Sequence, residues 1–110
     1  MRLPNADRAT VDIRKLRDYA LSSASERGRH KARVLARVFG IGPADAQWLR
    51  DRILDGVRNA DATPTAQSPY GTLYRVDIRV ETRQGAATVR TTWIVHTGET
   101  FPRLTTCFVL

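Results

Sequence analysis

The sequence has too few cysteine and histidine residues for several common kinds of site. Its single cysteine, Cys107, cannot form an internal disulfide, and we expect it to be a small core or sheet residue. The two histidines and this cysteine lack the paired spacing of zinc ligands. Glycine-rich motifs that hold nucleotide phosphates are missing too. The sequence therefore predicts no metal and no other cofactor.

Long apolar runs are also missing. None approaches the roughly 18 to 20 residues that cross a bilayer. The opening residues, Met1 to Asn5, lack the apolar core of a signal peptide. We therefore expect a cytoplasmic protein with no membrane partner. A chain of 110 residues is long enough for one modest core, so a single domain over residues 1–110 is expected.

Lysine is scarce, although positive charge is abundant. The chain has 18 basic and 11 acidic residues, a net charge of +7, and only Lys15 and Lys31 among the cations are lysine. Such a field attracts polyanions, and the planar arginine side chain suits phosphate. Two other causes could give the same composition. Genome base composition can favour arginine over lysine, and solubility alone can favour a net charge. We favour a partner that contains phosphate.

The apolar spacing changes along the chain from helical to strand-like. It predicts helices at about residues 12–22, 30–39 and 43–59, within a helical part over residues 1–60. Polar residues at 61–71 indicate a linker, and residues 72–110 alternate as an antiparallel sheet. The expected fold is α+β, with three N-terminal helices packed on one face of a three- to four-stranded antiparallel β-meander. The third helix should bury Ala46, Leu49, Ile53 and Val57.

The strands predict which polar side chains share the exposed face of the sheet. If Gln84 and Gly85 form a two-residue turn, Arg79 lies opposite Arg90. Neighbouring carboxylates could balance this pair in a solvated charge ladder, or an anion could bind there. In the last strand, Leu104, Thr106 and Phe108 are expected to face the core.

A cationic cluster lies between residues 27 and 37. It contains no acid, and its members are Arg27, Arg29, His30, Lys31, Arg33 and Arg37. We expect it to mark the N-terminus of the second helix, where backbone N–H groups and the helix dipole favour an anion. Lys31 shares its helical stripe with Leu35 and should point toward the sheet. A lysine at the rim of the core explains this position equally well.

Several segments resemble a bacterial family described as a domain of unknown function. They are Leu3 to Asn5, Arg27 to Ala32, Thr88 to Val95 and Phe101 to Cys107. Members of the family are small stand-alone proteins or C-terminal domains of polymorphic toxins, often encoded beside an antitoxin-like protein. The layout also resembles the ribonuclease-toxin group that joins barnase, EndoU, colicin nucleases and RelE. The resemblance implies an active surface formed by His30, Lys31, Arg90, Thr92, Arg103 and Thr105.

These observations together predict a toxin-type, metal-independent endoribonuclease that acts on tRNA or translating mRNA. RNA needs no metal for cleavage, because its 2′-OH can attack the neighbouring phosphate. The predicted catalytic residues are His30, Lys31, Arg90, Thr92 and Thr105. The predicted phosphate-binding residues are Arg27, Arg29, Arg33, Arg79 and Arg103. Two alternatives stay open: a non-enzymatic nucleic-acid-binding module, and a protein that docks an acidic antitoxin or immunity protein. A toxin would also bind such a partner.

Overall fold

Four strands and two α-helices form an α+β fold. The computed structural model describes residues 1–24 and 26–110, with the side chain of Arg27 outside the described part. The helices are α1 (Glu26–Phe39) and α2 (Ala46–Val57); the strands are β1 (Ala62–Ser68), β2 (Gly71–Glu81), β3 (Ala86–His96) and β4 (Arg103–Val109). The strands pair in the order β1-β2-β3-β4, each antiparallel to its neighbour. Shorter helical segments are Ala6–Arg8, Lys15–Ala20 and Pro43–Asp45.

The prediction of three N-terminal helices on one face of the sheet is wrong. Only α1 and α2 reach seven residues within the described chain, and the first predicted helix is reduced to a six-residue π-helix, Lys15–Ala20. Two residues ahead of it form isolated β-bridges instead. Arg2 forms a β-bridge with Asp61, and Thr10 forms a parallel bridge with Arg103 of β4. This pairing uses backbone that local spacing alone assigns to the helical part.

Helix α1 begins at Glu26, earlier than the predicted start near His30. The first turn of the helix therefore includes Arg27 and Arg29 together with an acid, Glu26, and the rest of the cationic cluster lies further along α1. The anion site expected at the N-terminus of this helix stays a prediction. At the other end the helix stops as predicted at Gly40, whose φ of 73° favours glycine and whose N–H donates to the Ala36 carbonyl at 2.8 Å.

The core lies between the helices and one face of the sheet. The predicted stripe of α2 is confirmed, since all four of its members, Ala46, Leu49, Ile53 and Val57, are buried. They face Val76, Ile78 and Val80 of β2, and Val89 and Trp93 of β3 are buried with them. Helix α1 adds Leu35 and Phe39. This packing leaves the other face of the sheet to the polar and partly apolar side chains described below.

Strand β1 occupies the segment that the sequence predicts as a linker. Six of its seven residues are exposed, so no apolar alternation marks the strand in the sequence. Its backbone pairs with β2 from Ala62 opposite Val76 to Ser68 opposite Gly71. Backbone hydrogen bonds to a neighbouring strand, rather than buried side chains, hold this edge in place.

The β2–β3 connection has four residues, 82 to 85, instead of the predicted two. The Thr82 hydroxyl donates to the Phe39 carbonyl at 3.0 Å, and the Gln84 amide donates to the Arg37 carbonyl at 2.7 Å. The loop thereby satisfies carbonyl groups at the C-terminal end of α1. Since Thr82 is held there, β2 ends one residue earlier, and the whole predicted register shifts.

Strand β4 contains an irregularity that changes which side chains face the core. Thr92 lies opposite Thr106 and Trp93 opposite Leu104, so Thr105 has no partner of its own. The extra residue turns Cys107 inward beside Leu104, and both are buried. The expectation that Thr106 and Phe108 face the core is wrong for this reason. The Cys107 thiol is inside as expected, and burial raises its pKa to about 12.

Candidate active site

A groove opens at the β4 edge of the sheet, where the π-helix, α1 and β4 meet. It has a volume of about 400 Å³ and is lined by Lys15, Tyr19, Ala20, Gly28, Lys31, Thr105 and Thr106. We call it the lysine groove, because both lysines of the chain line it. The lining side chains within the described residues include cations and hydroxyls but no acid.

Helix α1 supplies Lys31, which is half-buried. Its spacing places it one turn before the buried Leu35, on the side that faces the sheet, as the sequence predicts. The Nζ atom lies 4.9 Å from the centre of the Phe108 ring, within the range of a cation–π interaction. The ammonium group is therefore held near the edge of β4 by a contact that leaves donors available to a ligand.

The π-helix supplies Lys15 and Tyr19, four residues apart. The Leu21 N–H donates to the Leu16 carbonyl at 2.8 Å, a bond that spans the wider turn of a π-helix. Leu16 and Ala20 are buried and anchor the segment. Because Lys15 and Tyr19 are separated by about one turn, they lie on the same side of the segment. Such short π-helical turns often occur at functional sites.

Strand β4 supplies Thr105 and Thr106 at its irregularity. The Thr105 hydroxyl forms a short hydrogen bond with the Thr92 hydroxyl of β3, and the Thr92 hydroxyl also lies 3.4 Å from the Thr106 carbonyl. Without the extra residue in β4, two successive threonines would point to opposite faces of the sheet. The irregularity thus brings two predicted site residues, Thr92 and Thr105, together beside Lys31.

Arg90 lies next along the exposed face of the sheet, opposite Phe108 in register. Asp77 is its partner on β2, and the guanidinium donates to both carboxylate oxygens at 2.9 and 3.0 Å. The predicted opposition of Arg79 and Arg90 is therefore wrong, because the longer loop shifts the register. The Arg90 hydrogen bonds hold the pKa of Asp77 below its usual value of 3.8.

The Asp77→Asn substitution tests this pair through its dependence on pH. An aspartate with a depressed folded-state pKa stabilises the fold above its unfolded pKa, and this contribution is lost as the pH falls through the folded value. At pH 7 we expect a lower free energy of unfolding for the variant than for the wild type. This difference should disappear below pH 3.8. Urea denaturation at several pH values measures it. A gap that stays constant down to acid pH would contradict the pairing.

Two other predicted arginines are neutralised by their own acids. Arg79 pairs with Glu81 at 3.0 Å on an exposed part of β2. Arg103 donates to both oxygens of Glu99 at 2.9 and 2.8 Å and lies 4.8 Å from the ring of Phe101. Neither residue lines the groove. A charged ligand would have to compete with a carboxylate at each position.

Arg29, His30 and Arg33 are exposed on α1. His30 is exposed and does not line the lysine groove, so the structure does not bring it together with Lys31 there. Arg33 is exposed without an ion pair among the described residues, and Arg29 donates to the Ser23 carbonyl at 3.3 Å. The side chain of Arg27 is outside the described residues, so its predicted phosphate contact has no structural counterpart here.

Of the groove residues that the sequence analysis did not predict, Lys15 and Tyr19 carry the side chains with chemical interest. It used Lys15 only in the charge count, and it placed residue 19 within the first predicted helix without a role in the site. The sequence did contain a signal for Lys15, because only two of the 18 basic residues are lysine. Their shared location depends on packing between separate segments, which sequence spacing does not report.

The described residues contain no group of three or more histidine, cysteine, aspartate or glutamate side chains that could hold a metal ion. The helices described here also include none that is long and apolar enough to cross a membrane.

The family of the chain can be stated from a comparison with protein-family models. The model described as Domain of unknown function (DUF6883) matches residues 2–110. The chain belongs to the DUF6883 family. No curated protein sequence matches the chain. Membership of DUF6883 carries no activity with it, so a function has to be argued from the chemistry of the groove.

Proposed function

We propose that the chain is a toxin-type, metal-independent endoribonuclease whose reaction takes place in the lysine groove. One observation carries the proposal: both lysines of an arginine-rich chain line one groove beside threonine hydroxyls, with no acid among its described lining residues. The net charge of +7 supports a polyanionic substrate. The toxin context rests on the family resemblance.

The chemical difference between lysine and arginine explains why this observation matters. A guanidinium stays protonated in proteins, so an arginine holds phosphate but does not exchange protons. An amine can act in either protonation state and is a known acid or base in enzymes. Lys15 and Lys31 are therefore the basic side chains, other than the two histidines, that can both attract RNA and transfer a proton.

The proposed reaction is an internal transphosphorylation of RNA. The 2′-oxygen forms a bond to the adjacent phosphorus, and the bond from phosphorus to the 5′-oxygen breaks. One lysine accepts the 2′-OH proton, and the other donates a proton to the departing 5′-oxygen. The products are a 2′,3′-cyclic phosphate and a 5′-OH, so no water, oxidant or metal is consumed. Ammonium and hydroxyl donors of the groove stabilise the negative charge that develops on the phosphate.

The other predicted residues have different roles in the proposed reaction. Thr92 and Thr105 fix one wall of the groove through their hydrogen bond. Arg90, held by Asp77, lies opposite Phe108 on β3, where we expect it to contact the neighbouring phosphate. Arg29 and Arg33, with exposed side chains on α1, can follow the RNA backbone. His30 takes no part in proton transfer, because its side chain lies outside the groove.

Cleavage of RNA in excess chelator is the direct test. The wild-type protein is expected to cut tRNA or mRNA with fragments that end in a 2′,3′-cyclic phosphate, and to leave the matching 2′-deoxy strand intact. Lys31→Ala should lower the cleavage rate by about 100-fold or more, the usual effect of removing a group that stabilises developing charge. Arg83→Ala removes one exposed charge outside the groove and is the matched control.

Intact RNA under all conditions, from a protein shown to be folded, would refute the ribonuclease proposal. The exposed Arg29 and Arg33 favour one other candidate, a module that only binds nucleic acid. That candidate predicts affinity that falls steeply with salt but no product. An acidic antitoxin or immunity protein would fit the same basic surface in either case, so its binding does not separate the two.

A further inference from the structure

We propose that the lysine groove accepts an unpaired nucleotide, whose base stacks on the ring of Tyr19. The inference deepens the proposed function and rests on it for the identity of the ligand as RNA. It names the substrate as single-stranded RNA or a loop, and it assigns a recognition role to Tyr19.

The exposure of Tyr19 is the first support. Its side chain is 61% exposed, although the residue belongs to a segment whose Leu16 and Ala20 are buried. Among the described residues, the other exposed large apolar side chains are those of Met1, Tyr70 and Leu110. An aromatic ring on the surface contributes little to the stability of the fold, and this ring lies at the wall of a groove.

The arrangement of charge around the ring is the second support. Lys15 precedes Tyr19 by about one turn and lines the same groove, and Lys31 lies on the α1 side. A base on the ring would therefore place its phosphates between two ammonium groups. Proteins that bind single strands combine cations for the backbone with an aromatic face for the base.

The choice between the two rings near Lys31 is the third support. The Phe108 ring already has the Lys31 ammonium at 4.9 Å from its centre. Among the described residues, no cation lies over the ring of Tyr19. Tyr19 is therefore the aromatic side chain of the groove with a face available to a base.

The size of the groove decides against a duplex. Its volume of about 400 Å³ is near the lower end of small-ligand sites, which span about 300 to 1,000 Å³. In a duplex the faces of the bases are covered by their neighbours, and a protein reaches them only after the base is turned out. Stacking on Tyr19 thus needs a base that is already unpaired or easily released.

Fluorescence anisotropy with RNA that cannot be cleaved tests the inference. The probes are a single-stranded 2′-O-methyl oligonucleotide and a 2′-O-methyl hairpin that pairs the same bases. We expect the wild type to bind the single strand more tightly, and Tyr19→Ala to weaken that binding by about 10-fold or more, the scale of one base–aromatic stack. Tyr19→Trp should retain the affinity, and Tyr19→Leu, which keeps bulk without an aromatic face, should not.

Tyr70→Ala is the matched control, because Tyr70 is also strongly exposed but does not line the groove. Thermal unfolding of each variant checks that the fold is retained. Unchanged single-strand affinity in Tyr19→Ala, equal binding of strand and hairpin by the wild type, or no binding at all would overturn the inference.

The two proposals fail separately in this design. Binding that depends on Tyr19, together with no cleavage of ordinary RNA, would refute the ribonuclease and leave the stacking site standing. Cleavage that persists while Tyr19→Ala binds like the wild type would do the reverse.

Discussion

The double substitution Lys15→Arg, Lys31→Arg is expected to abolish RNA cleavage while RNA binding persists. Both changes keep the positive charge, so attraction for phosphate is retained. Neither guanidinium can give up or return a proton, so both proton transfers are lost. A positioned acid or base contributes about 10²- to 10⁴-fold to a rate, and we expect a loss in kcat of at least that size.

Cleavage rates under single-turnover conditions, compared with anisotropy on an uncleavable strand, separate the two effects. The single variants divide the roles, because each should lose one of the two proton transfers and still bind the uncleavable strand. Arg83→Lys is the control, because it exchanges arginine for lysine at a position outside the groove. Wild-type rates in the double variant would show that proton transfer does not depend on the lysines.

Replacement of Trp93 by alanine is expected to lower the free energy of unfolding by about 3 to 5 kcal/mol, the range for large aromatic residues removed from a core. Trp93 is fully buried in β3. Its indole N–H donates to the Thr91 hydroxyl at 2.8 Å, and that hydroxyl donates to the Val76 carbonyl at 2.7 Å. The variant would leave a cavity in the core, and it would remove the hydrogen bond that the Thr91 hydroxyl accepts from the indole.

Urea denaturation followed by circular dichroism measures this change without using tryptophan fluorescence. Trp48→Ala is the matched control, since Trp48 is only half-buried beside the same core. Trp93→Phe should have an intermediate effect, because it refills part of the volume but removes the donor to Thr91. A loss below about 1 kcal/mol for Trp93→Ala would be the size typical of a surface position and would contradict the described packing.

Several elements of the fold could be predicted because they depend on residues close together in the chain. The buried stripe of α2 is one, since a period of 3.6 residues marks it whatever the rest of the chain does. The alternation of β2, with Val76, Ile78 and Val80 inside, is another. Strand β1 escaped prediction because its exposed side chains carry no such pattern.

The candidate site was harder to predict, because its geometry depends on register and contact. Thr82 binds the end of α1, which lengthens a loop, and this shift gives Arg90 an acid instead of an arginine as its neighbour. Of the five predicted catalytic residues, Lys31 and Thr105 line the groove. Thr92 and Arg90 lie on the neighbouring strand β3, and His30 is exposed on α1. Lys15 and Tyr19 joined the site through a π-helix that helical spacing does not reveal.

The sequence by itself determined the antiparallel sheet of an α+β protein, the apolar stripe of α2 and the strong positive charge. Local periodicity and composition suffice for these, because each follows from neighbouring residues or from a count. The tertiary structure alone decided that both lysines share one groove and that Arg79, Arg90 and Arg103 are each held by an acid. Such distances join segments far apart in the chain, and they are set by loop length, strand irregularity and packing.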